Sequence, residues 1–109
     1  MEELNLSDRL RLIAGLIKKG SKVADIGTDH GYLPIFLVKS GITDRVIAMD
    51  VRKGPLKKAE DNTRAFCVFD QIELRLSDGL AALEKGEADT VTISGMGGRL
   101  IQSILTNGR

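Results

Sequence analysis

Hydrophobic positions repeat with two periods along this chain, and the two alternate. In "LSDRLRLIAGLIKKG" (6–20), Leu6, Leu10, Ile13, Leu16 and Ile17 fall on one helical face, and Gly20 lies just past its end. "KVADI" (22–26) has the length and apolarity of a buried strand. "GYLPIFLVKSG" (31–41) returns to helical spacing, with Pro34 tolerable in the first turn and Gly41 as the stop. "RVIAMDV" (45–51) is a second strand, and "GPLKKAEDNTRAF" (54–66) a helix opened by Pro55. "QIELRL" (71–76) is a third strand, "DGLAALEKG" (78–86) a short helix, "ADTVTIS" (88–94) a fourth strand and "GGRLIQSILTNG" (97–108) a last helix. No repeat, low-complexity tract or linker interrupts the series.

Strands that alternate with helices imply a parallel sheet with right-handed crossovers. Apolar runs such as "VIAM" suit strands covered on both faces. The expectation is therefore an α/β, Rossmann-like fold. The 109 residues set a prior of one domain, 1–109. A hydrophobic fraction of 42% with 28% charged residues fits a soluble globular protein. Sixteen basic and 15 acidic residues nearly cancel, so any nucleic-acid contact needs a local basic patch. A single cysteine, Cys67, excludes an internal disulfide and a multi-cysteine zinc site. Its apolar setting, "AFCVFD", suggests a buried structural thiol. No apolar run is long enough to span a membrane and the N-terminus lacks a signal-peptide core, so the expected location is the cytoplasm.

Parallel sheets of this kind bind ligands at the carboxyl ends of their strands. The chemistry-bearing residues fall there: Asp25 and Gly27 after the first strand, Asp50 after the second, Ser77 and Asp78 after the third, and Gly95-Met96-Gly97-Gly98 after the fourth. Gly27 permits a sharp bend close to a ligand, and Gly31 opens the next helix. A dinucleotide fingerprint reads G-x-G-x-x-G, but here Gly27-Thr28-Asp29-His30-Gly31 puts Asp29 where the central glycine belongs. A pyrophosphate would meet that carboxylate at close range. S-adenosylmethionine, with its sulfonium and ammonium and no phosphate, would not. Asp50 follows Gly27 by 23 residues, a usual separation for an acid that accepts from both ribose hydroxyls. Asp78 would accept from an adenine amino group. The plain alternatives are a turn residue at Asp50 and a helix cap at Ser77 or Asp78. Three acids in register at successive strand ends favour a cofactor site. The dense glycines of "ISGMGGRLI" leave backbone bare for a flat group such as a nucleobase.

Together "LSDRL", "VADIGTDHGYLP", "AMDVRKGPLKKAEDN", "RLSDGL" and "ISGMGGRLI" resemble the bacterial tRNA (adenine-22 N1)-methyltransferase family, a class I group dependent on S-adenosylmethionine. The blocks occur in the family's order over nearly the whole chain. The resemblance implies Asp25, Gly27, Thr28 and Asp29 around the methionine part of the cofactor, with Gly31 also in the cofactor site. It implies Asp50 and Val51 at the ribose, Ser77, Asp78 and Gly79 at the adenine, and Gly95 beside the transferable methyl. It also implies a class I sheet that is incomplete here: about four of seven strands, in order 3-2-1-4, without the family's C-terminal strands and helical extension. The fourth strand would then be an open edge inviting dimerisation.

The implied reaction is methyl transfer to N1 of a tRNA adenine, leaving S-adenosylhomocysteine. N1 carries an in-plane lone pair, so no strong base is needed. The "TDH" and "GMGG" turns would wall the pocket, with Asp29, His30, Gly95 and Met96 nearest the chemistry. No metal is required, and no DNA or membrane partner is expected. His30 could equally be a packing residue, and Tyr32 reads better as core than as a stacking platform. Arg52, Lys53, Lys57 and Lys58 form a run without an acid that could hold RNA phosphates, although such runs are usually solvated helix faces. Arg9 could reach a cofactor carboxylate or a phosphate, or lie on the surface. Three rivals remain: a methyltransferase with another acceptor, a non-catalytic cofactor- or tRNA-binding fragment, and a nucleotide-dependent oxidoreductase, which Asp29 disfavours.

Overall fold

A computed structural model describes residue 4, residues 6–96 and residues 100–102. Eight main elements occur in the order α1 (Asp8–Leu16), β1 (Val23–Ile26), α2 (Tyr32–Lys39), β2 (Val46–Asp50), α3 (Lys53–Ala65), β3 (Ile72–Leu76), β4 (Thr90–Ile93) and β5 (Leu100–Gln102). The sheet order is β3-β2-β1-β4-β5. β1 pairs in parallel with β2 and β4, and β2 with β3, so four strands run in the expected order 3-2-1-4.

Alternation along the strands divides the core. Val23, Val46, Ala48 and Ile72 meet α1, α2 and α3 through Ile13, Leu33, Ile35, Leu37, Val38 and Phe66. Ala24 and Met49 belong to a second, smaller cluster with Ala88, Leu80 and Leu83. α1 begins at Ser7, whose hydroxyl accepts from the Leu10 N–H. α2 starts from Gly31 in the left-handed region, φ 79, and is buried nearly all round, as its apolar composition demands. α3 opens at Arg52, and Pro55 lies in its first turn, where no intrahelical donor is needed. Lys57–Asp61 and Arg64–Glu60 pairs lace its outer face.

Six expectations fail, some for local reasons and some through pairing with other parts of the sheet. Leu100–Gln102 does not continue a helix; it pairs antiparallel with β4, Thr92 opposite Leu100. β4 is therefore not the open edge, and the dimerisation argument built on it lapses. The remainder of the expected last helix lies outside the described residues. The segment 78–86 forms successive turns instead of a helix, with Gly79 at φ 60 and i to i+3 bonds at Ala81 and Leu83. Leu16 is exposed, because α1 ends there and Ile17, already extended, takes the buried place. Cys67 is exposed: it sits at φ 63 just past α3, and its neighbours Phe66 and Val68 occupy the core in its stead. Tyr32 is 40% exposed rather than core, being the first residue of α2.

Gly31 couples the two helices nearest the ligand edge. A β-carbon there would lie 3.1 Å from Ala59 Cβ, at a backbone angle unfavourable to any side chain. Gly31→Ala should cost roughly 2–4 kcal/mol in urea unfolding. Ala59→Gly should recover part of the loss in the double variant. Additive losses would show that the contact is not the cause.

Candidate functional site

The strand-end acids do converge on one edge, in distinct states. Asp25 lies beside Thr92 in the β1–β4 ladder and is 0% exposed. Its Oδ1 accepts from the Thr92 hydroxyl at 2.6 Å, and the Ser94 hydroxyl donates to the same carboxylate at 2.8–2.9 Å. Burial raises the carboxyl from its ordinary 3.8 to about 6, against the opposing pull of those hydroxyls. Asp25 is thus a fixed polar floor, not a solvent-facing ligand.

Above it the backbone is bare. A β-carbon on Gly27 would lie 3.2 Å from Gly95 Cα, and one on Gly95 would lie 3.0 Å from the Gly27 carbonyl oxygen. The two glycines therefore pack main chain on main chain and close the gap between the ends of β1 and β4. Beyond Gly27 the chain follows β2, with the Thr28 N–H donating to the Met49 carbonyl at 2.8 Å. The Thr28 hydroxyl is buried and has no partner of good geometry. Asp29 then turns through φ 58, a region Asp tolerates.

That turn directs the Asp29 N–H onto Asp50 Oδ2 at 3.0 Å. Asp50 is 2% exposed, and its Oδ1 accepts from the Arg52 N–H at 2.9 Å and the Arg52 Nε–H at 3.1 Å. Burial pushes this carboxyl up, but the Arg52 and Asp29 donors and the guanidinium charge outweigh it and hold it below the usual value. Asp50 therefore stays ionised, with Arg52 on its outer side. The Asp29 carboxylate is half-exposed, 3.3 Å from His30 Nδ1 and 3.9 Å from Arg52 Nη2. His30 stacks on Tyr32 with ring centroids 5.7 Å apart, and its carbonyl accepts from Asn62 Nδ2 at 2.9 Å. Val51 is exposed beside Asp50.

The third strand end is a built turn. The Ser77 N–H extends the ladder to the Asp50 carbonyl at 2.9 Å. The Ser77 hydroxyl is spent within the turn, donating to the Gly79 carbonyl at 2.9 Å and accepting from the Ala82 N–H at 3.0 Å. It caps no helix. Asp78 is exposed, and among the described residues the Asp78 and Gly79 N–H groups find no acceptor. Gly95 and Met96 lie in a short 3-10 turn at the end of β4, while Gly97 and Gly98 lie outside the described residues.

The basic run is less free than its sequence implies: Arg52 binds Asp50, and Lys57 binds Asp61. Lys53 and Lys58 form no ion pair among the described residues, and Arg9 has a partner of its own. A cavity of about 920 Å³ opens at the opposite edge, where Lys22, Asp44, Arg45 and Gln71 precede or begin the strands. It holds none of the strand-end acids. Among the described residues no group of His, Cys, Asp and Glu could hold a metal, and no helix is long and apolar enough to cross a membrane.

Residues 6–109 match a family model described as a methyltransferase domain. The chain belongs to the methyltransferase-domain family. It is 42% identical, over all 109 residues, to the tRNA (adenine(22)-N(1))-methyltransferase of Bacillus subtilis and spans 46% of that protein's length. It resembles the solved structure of M. capricolum TrmK in complex with S-adenosylhomocysteine, with TM-score 0.76 and 43% identity over 81% of this chain and 40% of that one. It is also 33% identical, over 82 residues, to a ribosomal protein L11 methyltransferase from Syntrophomonas wolfei, covering 75% of this chain and 26% of that one. The chain thus spans about half the length or less of the relatives it matches.

Within this family fold, sequence reasoning missed Thr92, Ser94, Arg75 and Glu87. The first two carried a signal, since "TVTIS" places polar residues at every second position, on the face of Asp25. Asp25 gives a prediction with a definite sign. A folded-state carboxyl raised to about 6 costs the fold stability as pH rises from about 4 to 6. Asp25→Asn cannot ionise, so its stability relative to the unaltered protein should rise by roughly 2–3 kcal/mol between pH 4 and pH 7.5. Urea unfolding at both values checks this, and a difference independent of pH would contradict it.

Proposed function

We propose that this chain is the cofactor-binding part of an S-adenosylmethionine-dependent methyltransferase whose acceptor is N1 of an adenine in tRNA. The observation that carries the reading is the ionised, buried Asp50 beside the bare Gly27–Gly95 floor, with Asp29 on its rim. The residues present fit the cofactor. Asp50 offers carboxylate oxygens for the two ribose hydroxyls once the Arg52 side chain, itself largely exposed, moves aside. Asp29 places negative charge where a cationic amino acid head is favoured and a phosphate is not. Pro34 also removes one donor from the first turn of α2, which weakens that helix end as a phosphate site. The Thr28 hydroxyl, close to Asp25 but without a partner of good geometry, is a buried polar group on the same edge.

S-adenosylmethionine, when bound, supplies an electrophilic methyl on sulfur. The chain's own part is alignment and exclusion of water. Gly27 and Gly95 hold the ends of β1 and β4 together at this edge, and the His30–Tyr32 stack presents a flat aromatic surface after the same turn. The adenine N1 lone pair needs no base, and Asp25, with its carboxylate tied down by Thr92 and Ser94, is not placed to act as one. The tRNA acceptor rests on the similarity to tRNA methyltransferases and fits the cytoplasmic expectation. The similarity to an L11 methyltransferase supports a second reading, in which this half is shared by enzymes of different acceptor and the rest of the protein chooses.

Calorimetry should show saturable binding of S-adenosylhomocysteine and none of NAD. Asp50→Ala should weaken that binding at least tenfold, and Lys57→Ala less than twofold. Equal effects would defeat the site assignment, and NAD binding would restore the oxidoreductase reading. Methyl incorporation at N1 of tRNA adenine, compared with ribosomal protein, separates the two acceptors.

A further inference from the structure

The proposed edge includes a turn whose shape is set from below by an ion pair on the sheet. Arg75 is on β3 with its side chain 18% exposed, and Glu87 lies 12 residues further on, before β4. Arg75 Nη1 and Nη2 donate to the two Glu87 carboxylate oxygens at 2.7 and 2.6 Å, a bidentate fork. The same Nη1 donates to the Ala82 carbonyl at 2.8 Å, and Glu87 also accepts from the Glu84 N–H at 2.7 Å. Nε is held by Glu73 at 2.8 Å. One guanidinium therefore ties the strand, the middle of the turn and its return. Ala82 is also the residue whose N–H closes the Ser77 hydroxyl ring. Its carbonyl is fixed from the sheet and its N–H from Ser77, so the open N–H groups of Asp78 and Gly79 are fixed between them.

We propose that the Arg75–Glu87 pair is a positioning element that holds the 77–82 turn in the form that reads the adenine ring. This rests on the cofactor reading above. Neither side chain reaches the ligand edge; both act through the turn. The bidentate geometry accounts for the choice of arginine, because lysine would offer one point of attachment where four acceptors are used. It also accounts for the absence of a helix over 78–86, since the Ala82 carbonyl is drawn to Arg75 and not to an N–H four residues on.

The test compares S-adenosylhomocysteine with S-inosylhomocysteine, which differs only in replacing the 6-amino group and reversing donor and acceptor at the ring edge. The unaltered protein should prefer the adenosine compound in calorimetry. In Glu87→Gln its affinity should fall about tenfold, while affinity for the inosine compound stays the same, so the preference collapses. Arg75→Lys should behave likewise and serves if the first variant is unstable; circular dichroism checks that each is folded. A variant that keeps the preference, or loses affinity for both compounds in parallel, would overturn the proposal, because a general loss of structure moves both together. Failure of the unaltered protein to bind S-adenosylhomocysteine would instead overturn the cofactor reading and this inference with it.

Discussion

The main-chain contact between Gly27 and Gly95 sets the shape of the edge on which this chain's chemistry depends. With no side chain on either residue, the ends of β1 and β4 close to within 3.2 Å of where a β-carbon would stand. That closeness brings the end of β4, with the Ser94 hydroxyl that donates to Asp25, against the end of β1. A methyl group on either glycine would run into the main chain of the other and push the strand ends apart. The adjoining turn then sends Thr28 along β2 and the Asp29 N–H onto Asp50.

Electrostatics divides the acids that sequence inspection treats alike. No cation of the described residues offsets burial at Asp25, which raises its carboxyl to about 6, so ionising it toward neutrality works against the fold. Asp50 is as deeply buried but gains four donors from Arg52 and Asp29, so it remains charged. Asp29 and Asp78 face solvent. A hydrogen-bonded acid beneath, with the ionised Asp50 and the half-exposed Asp29 above, suits a ligand that carries positive charge and hydroxyl groups and disfavours one that carries phosphates.

Much of this was legible in the residues. Parallel strands buried on both faces must be short apolar runs, and "VADI", "VIAMD" and "TVTI" are such runs, each ended by an acid or a glycine turn. Register then follows, and with it the convergence of Asp25, Asp50 and Ser77. What escaped depended partly on contacts distant in sequence and partly on where turns and helices begin and end. The alanine- and leucine-rich stretch 80–84 has helical propensity, which the Arg75 fork overrides. Cys67 and Tyr32 have apolar neighbours, but a left-handed turn exposes one and a helix start the other. The basic run looked free because its acidic partners, Asp50 and Asp61, lie across a turn or one helical turn away.

The central claim is that ligand binds at the carboxyl strand ends, although a cavity of about 920 Å³ opens at the other edge. Amide chemical shifts followed by NMR during titration with S-adenosylhomocysteine test it most directly. The account predicts that Gly27, Thr28, Asp29, Val51, Asp78 and Gly79 move together with one saturation curve, while Lys22, Arg45 and Gln71 stay in place. Shifts centred on Lys22, Arg45 and Gln71, with the glycine edge unmoved, would contradict it.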